Sequence, residues 1–164
     1  MADIFETTLT LITRNAAETE SLGERLGALL QTGDVLCLSG TLGAGKTCLT
    51  RGLARGWGAL EKPTSPTFTL INEYRRSVDS QRFYHVDCYR LKNAADALTT
   101  GLDDIFDAEG VVVIEWPERI EEALPPERLW VQITDHGGEE RQLDFIPSGE
   151  RAVQLVRLLG DNSL

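Results

Sequence analysis

The 164-residue sequence holds only three cysteines and no apolar run approaching ~20 residues. Each scarcity excludes something. Without such a run, no helix of the chain is expected to span a membrane. Cys37, Cys48 and Cys88 are odd in number, scattered and in no metal-ligand spacing. They read as reduced cytosolic thiols rather than as a disulfide framework or a zinc site. The first residues, Met1-Ala2-Asp3-Ile4, lack a basic stretch followed by an apolar one, so no secretion signal is expected. Positive charge is scarce too: 16 Lys and Arg stand against 26 Asp and Glu, a net charge of −10. A protein that grips nucleic acid through its own surface carries a basic face. The short clusters here, Arg75-Arg76 and Arg51 with Arg55, do not make one. Direct, tight binding of RNA or DNA is therefore disfavoured, and an acidic subunit that docks on a more basic partner fits better. Repeats, low-complexity tracts and long linkers are also missing, so residues 1–164 read as a single domain able to bury a core.

What the sequence does have is concentrated between Asp34 and Trp57. The apolar run Val35-Leu36-Cys37-Leu38 leads into Gly40-Thr41-Leu42-Gly43-Ala44-Gly45-Lys46-Thr47, and Leu49, Leu53 and Trp57 follow at helical spacing. The octapeptide fits G-x-x-x-x-G-K-[ST], the phosphate-binding loop, in its strand-to-helix context. Gly40 and Gly45 allow turns closed to residues with a Cβ. The loop amides and the positive end of the helix then make a nest for phosphate oxygens. Lys46 supplies a mobile point charge for the β- and γ-phosphates, and Thr47 a hydroxyl for Mg²⁺. The chain is expected to bind a nucleoside triphosphate.

Around this loop the pattern predicts a strand over Ile4 to Ile12, then a helix capped by Asn15 and Glu18 with the stripe Leu22, Leu26, Leu29, Leu30, ending at Gly33. Phe68 to Tyr74 and Arg82 to Asp87 read as an antiparallel hairpin, followed by a short helix, Ala94 to Leu98, capped by Asn93. Gly101 to Phe106 reads as a turn or short helix, and Val111 to Ile114 as a strand covered on both faces. Leu129 to Thr134 and Gln142 to Ile146 close as a hairpin, and Ser148 is expected to cap a last helix. The fold class is α/β: a three-layer phosphate-loop NTPase-like fold with a mixed, mainly parallel central sheet.

A nucleotide-bound Mg²⁺ needs a carboxylate besides Thr47. Two strands end in one, at Asp87 and at Glu115; the buried strand before Glu115 gives it the better context. Either acid could instead cap the next turn or pair with Arg90 or Arg119. Thr64, Ser65 and Thr67 form a hydroxyl-rich loop open to two readings: an ordinary polar loop, or the γ-phosphate sensor that nucleotide switches place there. His85 reads as a core or sheet-face residue. Trp116 is open to three readings: stacking on a base, contact with a partner, or burial.

The phosphate loop, Thr64-Ser65-Pro66-Thr67-Phe68-Thr69-Leu70, His85-Val86-Asp87-Cys88-Tyr89-Arg90-Leu91 and Glu115-Trp116-Pro117-Glu118-Arg119, in that order, resemble the TsaE (YjeE) family. Its members are bacterial ATPases of the pathway that makes N6-threonylcarbamoyladenosine in tRNAs. The resemblance implies a cytoplasmic ATPase that acts with the TsaD–TsaB heterodimer and meets tRNA only through that complex. TsaD would perform the threonylcarbamoyl transfer, and ATP hydrolysis would support repeated turnover. It also implies that the loop from Leu42 through Gly43, Ala44, Gly45, Lys46 and Thr47, with Cys48, holds the phosphates of ATP. Thr47 and Glu115 would hold Mg²⁺, Asp87 and Thr67 would belong to switch-like elements, and Trp116 would lie at the nucleotide. Cys48 departs from the family, where a second threonine is common, but its backbone N–H matters more than its side chain.

Two rivals share the loop. A small-molecule kinase needs an acceptor pocket and an arginine-bearing lid; no long arginine-rich insert is present, although Arg75 and Arg76 could imitate one. A GTP-binding switch commonly carries N-K-x-D, and no such tetrapeptide occurs.

Overall fold

The structure, a computed structural model, describes residues 8–41, 43–62, 70–99 and 101–161. Along the chain run β1 (Leu9–Thr13), α1 (Ala16–Gly27), β2 (Val35–Ser39), α2 (Lys46–Trp57), β3 (Ile71–Arg75) and β4 (Arg82–Asp87). Then follow α3 (Ala94–Leu98), α4 (Leu102–Asp107), β5 (Gly110–Glu115), a 3-10 segment (Pro117–Ala123), β6 (Arg128–Asp135), β7 (Arg141–Ser148) and α5 (Glu150–Asp161). Seven strands form one mixed sheet, in the order β1-β7-β6-β2-β5-β4-β3. Its centre, β6-β2-β5-β4, is parallel; β7 and β1 on one side and β3 on the other run antiparallel to their neighbours. The mixed sheet with a parallel core is the one the sequence pattern calls for.

Every residue of β2 and β5 is buried, as strands covered on both faces must be. Leu36, Leu38, Val111 and Val113 pack under Leu26 of α1, Leu49 and Leu53 of α2 and Leu155 of α5. The alternate residues, Cys37, Val112 and Ile114, meet Ala97, Leu102 and Ile120 on the opposite face. Each large apolar side chain so withdrawn from water contributes about 1.5–3 kcal/mol. The edge strand β3 exposes Glu73 and Arg75, charges that discourage pairing with a further strand.

Two buried devices fix the helices. Gly23 and Gly27 of α1 face Gly52 and Gly56 of α2. A Cβ at Gly23 would stand 2.5 Å from the Leu49 carbonyl oxygen, and one at Gly27, Gly52 or Gly56 would collide with the oxygen of Leu53, Glu20 or Glu24. The helices therefore touch backbone to backbone. On the same face of the sheet, the Arg151 guanidinium of α5 forks onto Asp34, Nε to Oδ1 and Nη2 to Oδ2 both at 2.9 Å, and Nη2 also donates to Leu29 O at 2.7 Å. Asp34 is 5% exposed, so this pair ties the start of β2 to α5 out of water.

Several local expectations change. Asn15 caps α1 as expected, its Oδ1 accepting from Glu18 N at 2.8 Å, while the Glu18 carboxylate reaches back to Arg14 N at 2.7 Å. The helix ends at Gly27, not Gly33, because Leu29 N and Leu30 N bond three residues back, to Leu26 O and Gly27 O. Gly33 instead serves the turn into β2 with φ +92°. Ser148 does not cap α5: its hydroxyl donates to Pro126 O at 2.8 Å, and Gly149 O accepts from Val153 N at 3.1 Å. The second strand of the β3–β4 hairpin has the expected bounds. Ile4 and Phe5 of the first expected strand, and Phe68 of the later one, lie outside the described residues.

By helix propensity alone, Gly52→Ala would stabilise α2 by about 1 kcal/mol. The crossing reverses the sign: the Cβ meets the Glu20 backbone, which cannot rotate away, so the substitution should cost about 1–3 kcal/mol. Urea unfolding of the two proteins decides between the signs.

Candidate nucleotide site

β2 ends at Ser39, whose position is fixed from the neighbouring strand: its hydroxyl donates to Gln132 Oε1 at 2.6 Å and accepts from Trp130 Nε1 at 2.8 Å. The chain then turns through Gly40, φ +153°, where a Cβ would stand 2.7 Å from Ile133 O. Gly43 and Gly45 follow at φ +79° and +111°, with Gly45 as the cap of α2. Among the described residues, its chain neighbours aside, no atom lies within 4 Å of a Cβ placed at Gly43. Ala44 N closes the loop on Thr41 O at 3.1 Å, and Leu42 lies outside the described residues. The result is a glycine-built turn ahead of a helix N-terminus, the geometry that binds anions.

Lys46, the first residue of α2, is 6% exposed. Its ammonium donates to the Gly40 and Thr41 carbonyls and lies 3.9 Å from the centroid of the Trp116 ring. Burial lowers its pKa, and the carboxylates of Glu115, Glu118 and Asp87 oppose that shift. Thr47 and Cys48 occupy the same first turn, both half-buried. The Cys48 thiol donates to Ala16 O at 3.1 Å, and burial raises its pKa.

The two acids come together. Asp87 of β4 and Glu115 of β5 are Cα partners in parallel strands, and Glu115 is paired in turn with Leu38 of β2. Alternation turns both carboxylates to the face that α2 covers, together with Phe83 and Val113. Glu115 is 4% exposed and accepts from His85 Nε2 at 2.5 Å. His85 thus belongs to the sheet face, as expected, and also orients an acid of the site. The half-buried Asp87 accepts from Tyr89 N at 2.9 Å, capping the turn that follows.

Trp116, next along the chain, has φ 59° and ψ 48°, the only positive φ outside glycine among the described residues. Non-glycine residues hold that conformation where the surroundings over-determine it. Here one face of the ring meets Lys46, the Tyr89 ring lies tilted against it with centroids 5.1 Å apart, and the Arg119 guanidinium stands 5.9 Å from the Tyr89 centroid. Residues from the phosphate loop, the Asp87–Tyr89 segment and the Glu115–Arg119 segment thereby form one cluster. Thr64, Ser65 and Thr67 lie outside the described residues.

The donor set suits Mg²⁺: the Thr47 hydroxyl and the Glu115 and Asp87 carboxylates are hard oxygens at one end of the sheet. Among the described residues no three His, Cys, Asp or Glu side chains converge as a metal site.

One contact escaped the sequence reading. Arg141, at the start of β7, donates from Nε to Ala44 O at 2.8 Å and from Nη2 to Gly43 O at 3.3 Å, reaching the loop from nearly a hundred residues away. No motif marks it; only the pairing of β2 with β6 and of β6 with β7 brings it there.

Comparison with known proteins bears on the same residues. The family described as Threonylcarbamoyl adenosine biosynthesis protein TsaE matches residues 13–143. A relative from Bacillus subtilis (strain 168), named tRNA threonylcarbamoyladenosine biosynthesis protein TsaE, is 43% identical over 147 residues, 90% of either chain. A Streptomyces coelicolor relative of the same name is 40% identical over 134 residues, 79% of this chain and 90% of its own. The crystal structure of Bacillus subtilis YdiB superposes with a TM-score of 0.80 at 38% identity, covering 96% of this chain and 97% of that one.

The thiols report on the site without nucleotide. Burial pushes Cys37 and Cys88 up to about 12, so both stay protonated in ordinary buffers. At about pH 8 an aromatic disulfide reagent should titrate Cys48 alone in the folded protein, faster as pH rises, and all thiols after denaturation. Rapid reaction of either remaining thiol in the folded Cys48→Ser variant would contradict the burial of Cys37 in β2 and of Cys88 just after β4.

Proposed function

The chain belongs to the TsaE family, and on that premise we propose that it is a Mg²⁺-dependent ATPase of the machinery that makes N6-threonylcarbamoyladenosine in tRNA. In this reading it is a single cytoplasmic domain that acts with TsaD and TsaB and meets tRNA only through them. The observation that carries it is the convergence of Lys46, Trp116, Tyr89 and the Asp87–Glu115 pair at the end of the strand that feeds the phosphate loop.

Roles follow from position. The amides from Gly43 to Cys48 bind phosphate, and Lys46 exchanges its carbonyl partners for phosphate oxygens. Thr47 and Glu115 would hold Mg²⁺, which when bound neutralises charge on those oxygens. His85 fixes which Glu115 oxygen is free to do so. Asp87 faces the same space and can take the proton of an attacking water. Trp116 covers Lys46 and limits water around the loop. Thr67 serves as the γ-phosphate sensor in this proposal.

The kinase alternative loses its lid arginine. The Arg76 guanidinium donates to Trp57 O at 3.1 Å, stacks 4.5 Å from the Trp57 ring centroid and pairs with Asp79 at 2.5 Å. It thus caps the far end of α2, about 18 Å of helix from the phosphate loop. Among the described residues, no helix is long and apolar enough to cross a membrane.

Lys46→Ala should weaken binding of a fluorescent ATP analogue by about tenfold to a hundredfold with the fold intact, since a charge-assisted contact is lost. Near wild-type affinity would end the phosphate-loop assignment. Glu115→Gln should keep ATP but lose roughly a hundredfold in Mg²⁺-dependent hydrolysis. A crippled Asp87→Asn beside a normal Glu115→Gln would exchange the two roles. Hydrolysis should proceed without a phosphoryl acceptor and change when TsaD and TsaB are added; a strict need for an acceptor would favour the kinase.

A further inference from the structure

A loop built on glycine binds phosphate well only if something decides which way its peptide planes face. Gly43 and Gly45 each tolerate either sign of φ, so either neighbouring peptide can flip at little cost. A flipped peptide would aim a carbonyl, not an N–H, at the anion. We infer that Arg141 is the residue that makes this choice: a positioning residue that grips the loop from outside, holding the Ala44 carbonyl so that the Gly45 amide faces the nest, and the Gly43 carbonyl so that the Ala44 amide keeps its bond to Thr41 O. The inference rests on the phosphate-loop reading and adds to it a determinant from the other end of the chain.

The geometry is that of a fork. Nε donates to Ala44 O at 2.8 Å and Nη2 to Gly43 O at 3.3 Å, two carbonyls of consecutive residues matched to one planar edge. The remaining nitrogen is spent on the β6–β7 turn: Nη1 donates to Gly138 O at 2.8 Å, Glu140 O at 2.9 Å and Asp135 Oδ1 at 3.1 Å. Asp135 Oδ1 is itself held by Gly137 N at 2.8 Å, and the turn is closed by His136 N on Glu140 O at 3.1 Å. The guanidinium therefore has one orientation, set before any ligand arrives, and 15% of its side chain is exposed. A Cβ at Gly45 would come to 4.0 Å from Nε, so the cation lies directly against the turn of the loop. A cation on the carbonyl side also polarises each peptide, making the N–H on its other side a stronger donor. Lysine cannot substitute, because a single ammonium does not hold two peptide planes at once. With every guanidinium nitrogen engaged by a protein oxygen, Arg141 acts through the backbone.

The test compares wild type, Arg141→Ala, Arg141→Lys and Lys46→Ala by equilibrium titration with fluorescent ATP and ADP analogues and by thermal unfolding without nucleotide. Arg141→Ala should lose about tenfold to a hundredfold in affinity for both nucleotides, because the nest serves the phosphates that they share. Arg141→Lys should regain any lost thermal stability while keeping most of that loss in affinity. Wild-type affinity in Arg141→Ala, with Lys46→Ala crippled, would overturn the inference and leave the phosphate-loop reading standing. So would recovery of both stability and affinity in Arg141→Lys, which would reduce the arginine to a structural contact. Wild-type affinity in Lys46→Ala would instead remove the phosphate-loop reading, and the inference with it.

Discussion

The site depends on the level ending of three parallel strands. Leu38, Glu115 and Asp87 stand side by side across β2, β5 and β4. A slip of one residue would carry both acids to the opposite face, away from α2. Apolar patterning alone guards weakly against such a slip in β5, which is buried on both faces. Gly110 supplies the missing constraint. It is the partner of Arg82, and a Cβ there would collide with the Arg82 carbonyl, so a residue with a side chain cannot take its place. A glycine at the start of the strand thus settles where a glutamate arrives at its end.

Much of this was legible in the sequence because the signals were local. The phosphate loop, the Asn15 and Asn93 caps and the bounds of β4 each rest on residues a few positions apart. Asp87 and Glu115 were singled out by a slightly longer argument, that carboxylates at strand ends emerge where a parallel sheet binds ligands. Local reading failed where a distant partner took over. Ser148 had the chemistry of a cap and the position for it, yet the Pro126 carbonyl claims its hydroxyl. The helix expected to reach Gly33 stops at Gly27, where the chain tightens onto Leu26 and Gly27.

What escaped are the contacts that exist only in three dimensions. His85 sits in a strand like any sheet-face histidine, and its hold on Glu115 depends on β4 pairing with β5. Arg141 is one arginine among polar turn residues, and its contact with the loop needs the order β7-β6-β2. Trp116 was visible, but its left-handed backbone was not. That conformation turns the ring onto Lys46 while the next residues enter the 3-10 segment.

The tie between Arg151 and Asp34 bears on how the protein is made. β2 lies early in the chain, but its neighbours β5 and β6 and the arginines at its two ends all come later. A growing chain therefore carries the complete phosphate-loop sequence long before it owns the frame that shapes it. Helices α1 and α2 can dock as soon as they leave the ribosome, since their glycine crossing is complete between them. The loop they flank is framed only once β6, β7 and α5 have also formed, so a chain cut short before Arg151 carries the motif without the tie from Asp34 to α5.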